Sequence, residues 1–184
     1  DHEVQQMIYK LSKLYQGKIF RKNEHFIYLE EEMEIVDFYL SLQNGRCGEK
    51  ITYAISYEGN KEDYSKCMVP RLSIEPIVEN AVCHGLEPKD ENGHIHILVS
   101  MKEDTLRISI EDNGVGFDPN LLKESKEDRT HSHVGLWNTN KMIHNLCGDE
   151  YGLEIESKIG EGTKVCVVLP IKCEGNYVES NDCR

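Results

Sequence analysis

The first part of the chain carries apolar residues every three or four positions, which is the spacing of one helical face. Two such stretches, "DHEVQQMIYKLSKLYQ" and "YLEEEMEIVDFYLSLQ", are separated by the polar "GKIFRKNEHFIY". Their apolar seams are Val4, Ile8, Leu11 and Tyr15, then Leu29, Met33, Val36 and Leu40. Narrow seams of this kind predict the lower part of a helical bundle. Packing of the same helices on the domain that follows is the alternative, and the pattern leaves it open.

After Gly45 the pattern changes to short apolar runs that predict strands, at 51–57, 94–100, 105–111, 153–159 and 163–170. Helical patterns at 75–85 and 136–147 lie between them, so the fold class is predicted as an α/β two-layer sandwich. The polar segment 119–134 is too long for an ordinary connection and predicts a functional lid or disorder. We therefore divide the chain into a helical remnant (1–46), an α/β domain (47–172) and a polar tail (173–184).

The helix within "EPIVENAVCHG" has two contrasting faces. Ile77, Val78, Ala81 and Val82 form an apolar face, and the opposite face is polar. The polar face comprises Glu75, Glu79, Asn80 and His84. Such a face is ordinary on a solvated helix, but here it stands between predicted strands and could instead contact a ligand.

Three glycine-containing stretches accompany this helix: "EDNGVGFD" (111–118), "HVGLWN" (133–138) and "GEGTKV" (160–165). Taken singly, each is a common turn or cap. Taken together, they provide a carboxylate at a strand end, a glycine backbone that a flat ligand can approach, and a helix N-terminus for an anion. Asn80 and Glu79 add oxygen ligands suited to Mg²⁺. The set predicts a site for adenine, polyphosphate and Mg²⁺, without a P-loop or a dinucleotide fingerprint.

Composition argues against several classes of partner and site. The formal net charge of −12 over 184 residues argues against a nucleic-acid partner. The seven scattered cysteines form no C-x-x-C pair and indicate reduced thiols. The histidine pairs His94/His96 and His131/His133 lack a third ligand at a suitable spacing for a metal site. No apolar run approaches the length of a membrane span, and the start at Asp1 without Met indicates a piece of a longer chain.

In order and spacing, these stretches resemble the GHKL superfamily of ATP-binding domains (HATPase domains), which includes gyrase B, MutL-type repair proteins and histidine kinases. "VPRLSIEPIVENAVCHGL" looks like the N box of sensor histidine kinases of the LytS/YesM-like type. "LEEEMEIVDFYLSLQNGR" resembles the helix that links their phosphoacceptor region to the ATP domain. The resemblance extends from Val4 to Leu169 and implies the Bergerat ATPase fold, preceded by two helices from the dimerisation bundle.

The resemblance also implies roles for individual residues. Asn80 would hold Mg²⁺, and His84 would contact phosphate. Glu79 would act as base or would bond to the ligands of the metal. Asp112 would accept a hydrogen bond from the adenine amino group. The remaining residues of the implied nucleotide site are Gly114, Gly116, Gly135, Leu136, Gly160, Gly162 and Thr163.

The chain departs from the family pattern at two places. The lid box usually reads G-x-G-L, but His133 replaces its first glycine, and Trp137 stands where a basic residue is frequent. The acceptor motif N-P-H-F-[LF]-[FY]-N is only partly imitated by "NEHFIYL" (23–29), so His25 is interpreted as a linker residue. The phosphoacceptor histidine is accordingly expected upstream of Asp1.

The resemblance implies an ATP-dependent protein histidine kinase of a two-component signal transduction system, with ATP as the phosphoryl donor and Mg²⁺ as the cofactor. Its expected partners are a response regulator and, in the full-length protein, a second copy of the chain. The expected location is cytoplasmic, with membrane attachment through upstream segments only. Two alternatives stay open: an anti-sigma serine kinase, which would not need the two seamed helices at a dimer interface, and a nucleotide-gated interaction module without kinase activity.

Overall fold

The computed structural model describes residues 25–46, 50–89, 91–120 and 131–173, and for residues 131–133 the backbone alone. The predicted helix at 4–15, most of the polar segment 119–134 and the tail beyond Cys173 lie outside the described residues. In chain order the elements are β1 (Phe26–Tyr28), α1 (Leu29–Arg46), β2 (Ile51–Tyr57), a 3₁₀ turn (Lys61–Tyr64), β3 (Met68–Pro70), α2 (Glu75–Asn80), a π-helical segment (Ala81–Leu86), β4 (Gly93–Lys102), β5 (Thr105–Asp112), α3 (His131–Cys147), β6 (Gly152–Lys158) and β7 (Gly162–Pro170).

Five strands form one mixed sheet in the order β2-β4-β5-β7-β6. The β2–β4 pair is parallel and the other three pairs are antiparallel. The helix formed by α2 and the π-helical segment packs with α3 on this sheet, which confirms the predicted two-layer α/β sandwich. The five strands predicted from alternation all exist.

The sheet's inward face explains where polar groups enter the interior. On β5, Leu106, Ile108 and Ile110 are buried, and the period of two places Asp112 on the same face at the strand's end. On β7, the same period places Thr163 in line with the buried Val165. Asp112 and Thr163 are direct partners in the β5–β7 register. Two polar side chains therefore stand together where two apolar rows end.

Helix α1 packs on this domain. All four residues of its predicted seam are at most 4% exposed, and they belong to the same core as the sheet: Leu29, Met33, Val36 and Leu40. The backbone amide of Leu29 donates to the carbonyl of Cys67, and the hydroxyl of Tyr53 donates to Asp37. The alternative prediction for this helix, packing on the following domain, is the arrangement observed.

Several local features were not predicted. β1 and β3 form a separate two-stranded antiparallel sheet, and each is too short to show an alternating pattern. Helix α3 begins at His131 rather than at residue 136, so the end of the predicted polar loop is helical. Among the described residues, no helix is both long and apolar enough to cross a membrane.

Candidate functional site

A cavity of about 250 Å³ separates the helix after residue 75 from the ends of β5 and β7. The apolar part of its lining is Ile77, Ala81, Ile110, Phe117, Leu136 and Val165. The other lining residues are Asn80, His84, Gly85, Asp112, Gly116 and Thr163. A mostly apolar cavity with a few polar groups at its edges is the common form of a small-molecule site.

The cavity runs along the boundary between the two faces of the helix. Ile77 and Ala81 contribute from the apolar face, and Asn80 and His84 contribute from the polar face. Glu79 is exposed and does not line the cavity, because one residue along a helix rotates the side chain by about 100°. Of the polar face, Asn80 and His84 are therefore the residues that a ligand in the cavity would meet.

Asp112 is the buried carboxyl group of the site. It is 6% exposed, and its Oδ1 accepts a hydrogen bond of 2.8 Å from the backbone amide of Gly114. Burial raises the pKa of Asp112 to about 6, against the opposing effect of backbone hydrogen bonds from Gly114 and Thr163. A carboxylate held in such surroundings is a strong acceptor for a ligand N–H group.

Thr163 is held in place by Ser157 on the neighbouring strand. The hydroxyl oxygens of the two residues lie 2.8 Å apart. Ser157 also accepts a hydrogen bond from the amide of Phe117 and donates to the carbonyl of Gly162. This one hydroxyl therefore joins β6, β7 and the segment after β5 beside the cavity.

Glycine is required where these segments meet. Gly116 has a φ of +60°, and a Cβ there would overlap the carbonyl of Lys158. Gly162 has a φ of +104°, and a Cβ there would overlap the carbonyl of Asp112. Gly114 packs equally closely on the carbonyl of Gly85. The segments around the end of β5 are therefore in close backbone contact with one another.

Gly160 is placed differently from the other predicted glycines. It has a φ of +81°, nothing lies near the position of its missing Cβ, and it does not line the cavity. Its backbone amide donates to the carbonyl of Val115 over 2.7 Å. It thereby ties the β6–β7 turn to the segment that carries Gly116.

Asn80 lies at the other end of the cavity, against the start of helix α3. Its Nδ2 donates to the carbonyl of Pro76 over 2.9 Å, which leaves Oδ1 as the side-chain atom suited to a metal. A Cβ on Gly135 would lie 3.0 Å from Asn80 Nδ2, so this glycine packs directly on the amide. Leu136, the next residue, lines the cavity.

The arrangement fits an adenine nucleotide and Mg²⁺. The apolar lining can cover a flat base, the buried carboxylate can accept its amino group, and the glycines admit close backbone contact. The Oδ1 of Asn80 is a hard oxygen donor of the kind Mg²⁺ prefers, together with phosphate oxygens and water. Among the described residues, no cluster of three or more His, Cys, Asp or Glu side chains could hold a metal without such a ligand.

Sequence patterns missed two residues of this site. Gly85 lies in the π-helical segment, and a Cβ there would lie 2.9 Å from Asp112 Oδ1. Its carbonyl also accepts a hydrogen bond from Val115. Ser157 was missed because a serine in a strand resembles any surface residue. Its register opposite Thr163 is the only signal that could have identified it.

Comparison with known proteins gives the family. The profile for histidine kinase-, DNA gyrase B- and HSP90-like ATPases matches residues 70–172, and a histidine kinase profile matches residues 1–51. The sensor histidine kinase YesM of Bacillus subtilis is 30% identical over 172 residues, which are 94% of this chain and 28% of that protein. The sensor protein LytS of Staphylococcus saprophyticus is 29% identical over 187 residues, covering 99% of this chain and 31% of that protein.

Solved structures agree on the fold. The catalytic domain of the histidine kinase ThkA superposes with a TM-score of 0.59 at 19% identity, over 81% of this chain and 97% of that one. The chain spans less than a third of the length of the curated relatives YesM and LytS. The chain belongs to the family of histidine kinase-, DNA gyrase B- and HSP90-like ATPases, and its sequence is similar to the corresponding part of the sensor histidine kinases YesM and LytS.

Proposed function

We propose that this chain binds Mg-ATP in the cavity between the helix after residue 75 and the ends of β5 and β7. The γ-phosphoryl group then passes to a histidine upstream of Asp1. The observation that carries the proposal is the pairing of the buried Asp112 with Thr163 at one end of the cavity, while Asn80 lines the cavity next to helix α3. An adenine recognised at one end directs its phosphates towards the other.

Each end of the cavity has a defined task in this proposal. Asp112 accepts a hydrogen bond from the adenine amino group, and Thr163 lies beside the base. Gly114, Gly116 and Gly162 allow the backbone to pack closely around this end. A base that lacks an amino donor would leave the buried carboxylate without its partner, which is how the site selects adenine.

The phosphate end has a different set of residues. Asn80 holds Mg²⁺ through Oδ1, and His84 contacts a phosphate. Gly135 and Leu136 belong to the segment that closes over the phosphates. Bound Mg²⁺ would neutralise charge on the phosphate oxygens during transfer. Glu79, which is exposed, receives the proton that the attacking imidazole loses.

Two substitutions in the lid set this chain apart. His133 replaces a glycine, which restricts the backbone there to ordinary side-chain conformations. Trp137 lies on α3 beneath the ammonium group of Lys141, which is 5.1 Å from the ring centroid. The aromatic ring thereby holds a cation at the position where the family often has a basic residue. We expect the phosphate end of the site to differ from that of related kinases more than the adenine end does.

Partners follow from the proposed reaction. A response regulator would receive the phosphoryl group on an aspartate. In the full-length protein, a second copy would pair through the dimerisation helices. Membrane attachment would come from segments upstream of Asp1, with this domain on the cytoplasmic side. The sensor kinases YesM and LytS support this assignment, since they align over more than nine-tenths of the chain.

One observation favours the anti-sigma alternative. Helix α1 buries its seam in the domain's own core, as a helix without a dimer interface would. The histidine kinase profile nevertheless includes this helix, within residues 1–51. The same helix falls within the alignment to sensor histidine kinases. We therefore retain histidine kinase as the proposed class.

Phosphotransfer tests the proposed class. The 184-residue chain should bind Mg-ATP but acquire no acid-labile, alkali-stable label from γ-labelled ATP, because its histidines lack the acceptor context. A longer chain that includes the upstream helix should become labelled on that helix. Stoichiometric label on His25 of the 184-residue chain would contradict the proposal. Nucleotide binding without transfer by the longer chain would favour the interaction module.

A further inference from the structure

A buried carboxylate joins α1, the helix that resembles the family's linker helix, to α2 of the proposed nucleotide site. Glu32 lies on α1 and is 0% exposed. Its two oxygens accept hydrogen bonds from the backbone amides of Leu72 and Ile74, each at 3.2 Å, and from that of Glu75 at 3.4 Å. These amides belong to the turn that leads into α2 and to its first residue. A side chain from one helix therefore caps the start of another.

The capped helix has no local cap of its own. Its N-cap residue is Ile74, whose apolar side chain cannot accept a hydrogen bond from the first turn. The free amides at a helix start need an acceptor, and Glu32 supplies one from more than forty residues earlier in the chain. The carboxylate also faces the positive end of the helix dipole. Loss of this acceptor would release the start of α2.

The turn before α2 has a strained backbone conformation, which the hydrogen bond to Glu32 supports. Leu72 has a φ of +61°, a conformation that a branched side chain rarely adopts. Within the described part of the chain, the buried Nη2 of Arg71 and Oγ of Ser73 have no hydrogen-bond partner. Such a conformation persists only where neighbouring groups hold it, and Glu32 accepts the amide on the strained residue itself.

The distance from this turn to the site is short along the helix. The backbone amide of Glu75 donates a hydrogen bond to Glu32. The carbonyl of the next residue, Pro76, accepts a hydrogen bond from Asn80 Nδ2. A shift of the first turn therefore moves the carbonyl that orients the Asn80 amide. Asp112, at the other end of the cavity, is oriented by Gly114 and does not depend on this turn.

We propose that Glu32 is a positioning residue for the metal end of the nucleotide site and couples helix α1 to Asn80. The inference rests on the proposed nucleotide function. It requires that hydrogen bonds connect helix α1, through the start of α2, to the side chain of Asn80 that is proposed to bind Mg²⁺. A displacement of α1 is then transmitted to the phosphate end and spares the adenine end.

The first test compares Glu32→Gln with Glu34→Gln, an exposed glutamate on the same helix. Calorimetry is run with Mg-ATP and with adenosine. Glu32→Gln replaces one acceptor oxygen by an amide donor that faces backbone amides, so Mg-ATP affinity should fall about tenfold while adenosine affinity is kept. Glu34→Gln should change neither. Unchanged Mg-ATP binding by Glu32→Gln, or equal losses for both ligands, would overturn the coupling.

The second test uses the unaltered chain and is independent of whether a variant folds. If Glu32 and the metal end are coupled, Mg-ATP must strengthen the hydrogen bonds at Leu72, Ile74 and Glu75 by reciprocity. Amide hydrogen exchange at these three positions should slow several-fold with Mg-ATP and stay unchanged with adenosine. Equal exchange in the two complexes would overturn the inference. Failure of the unaltered chain to bind either ligand would instead contradict the proposed function.

Discussion

The two ends of the cavity are built in contrasting ways. At the Asp112 end, strands β5, β6 and β7 and the segment 113–117 lie in backbone contact, with glycines where a Cβ would overlap a carbonyl. At the Asn80 end, two helices meet, and the three atoms nearest to a Cβ on Gly135 all belong to the side chain of Asn80. The first end is fixed by main-chain geometry, whereas the second depends on how two helices are placed.

The contrast separates recognition from regulation. A pocket built from backbone contacts suits the proposed recognition of adenine, since the same base has to be recognised in every state of the protein. We propose that the Asn80 end takes the phosphates, and it is there that the chain departs from the family pattern, at His133 and Trp137. It is also the end that Glu32 connects to the linker helix. Variants should therefore divide into those that damage the fold and the base site, and those that alter metal and phosphate binding only.

The largest effect is expected from Gly116→Ala. Its positive φ and the overlap with the Lys158 carbonyl should together destabilise the fold by on the order of 3 kcal/mol, with loss of nucleotide binding. Gly59→Ala is the matched control, because its φ is +79° but nothing lies near its missing Cβ. That variant should lose only about 1 kcal/mol. Equal melting temperatures for the two variants would show that the close approach at Gly116 is unimportant.

The next effect is a pH dependence at Asp112. Its pKa in the folded chain is about 6, above the ordinary 3.8, so the folded state binds the proton more tightly than the unfolded state. Stability from this group is therefore present below about pH 4 and lost as the pH rises to about 6, by up to about 3 kcal/mol. Asp112→Asn should lack this loss.

Urea unfolding at pH 4 and pH 7 measures this effect. The free energy of unfolding of Asp112→Asn, minus that of the unaltered chain, should increase from pH 4 to pH 7. Asp104→Asn changes an exposed aspartate in the turn between β4 and β5 and should show no such gain. If the two variants have the same pH profile, Asp112 is not a buried carboxylate that destabilises the fold when it ionises.

Asn80→Ala should affect the opposite end. The variant loses the oxygen proposed to bind Mg²⁺, so the Mg²⁺ dependence of ATP binding should disappear while adenosine binds as before. Asn60→Ala, at the N-cap of the 3₁₀ turn and outside the lining of the cavity, is the control and should retain the Mg²⁺ dependence. Titrations with ATP and adenosine, each with and without Mg²⁺, provide the comparison. A parallel loss of adenosine binding would make Asn80 a structural residue of both ends.

The smallest effect is expected from Ser157→Ala. It removes the hydroxyl shared by Phe117, Gly162 and Thr163, at a cost of about 1–2 kcal/mol in stability and a modest loss of nucleotide affinity. Ser41→Ala removes a hydroxyl that donates to the carbonyl of Phe38 within helix α1, and it should leave nucleotide affinity unchanged. If both variants bind nucleotide equally well, Ser157 does not hold Thr163 in a functional position.

Local periodicity accounted for the five-stranded sheet and for the apolar face of the 75–85 helix. It also indicated Asp112, because the row of Leu106, Ile108 and Ile110 continues to that residue. The contributions of Ser157, Gly85 and Glu32 could not be predicted in this way. Each depends on a contact with a segment distant in sequence, and Glu32 in particular looks like one more acidic residue on a charged helix.

The central claim is that Asp112 recognises the adenine of a bound nucleotide. Calorimetry of Mg-ADP binding to the unaltered chain, Asp112→Asn and Asp104→Asn tests it most directly. A charge-assisted hydrogen bond contributes roughly 1.5–3 kcal/mol, so Asp112→Asn should bind about ten- to a hundredfold more weakly. Asp104→Asn should bind as the unaltered chain does. Equal affinity of Asp112→Asn and the unaltered chain would contradict the assignment of this cavity as the adenine site.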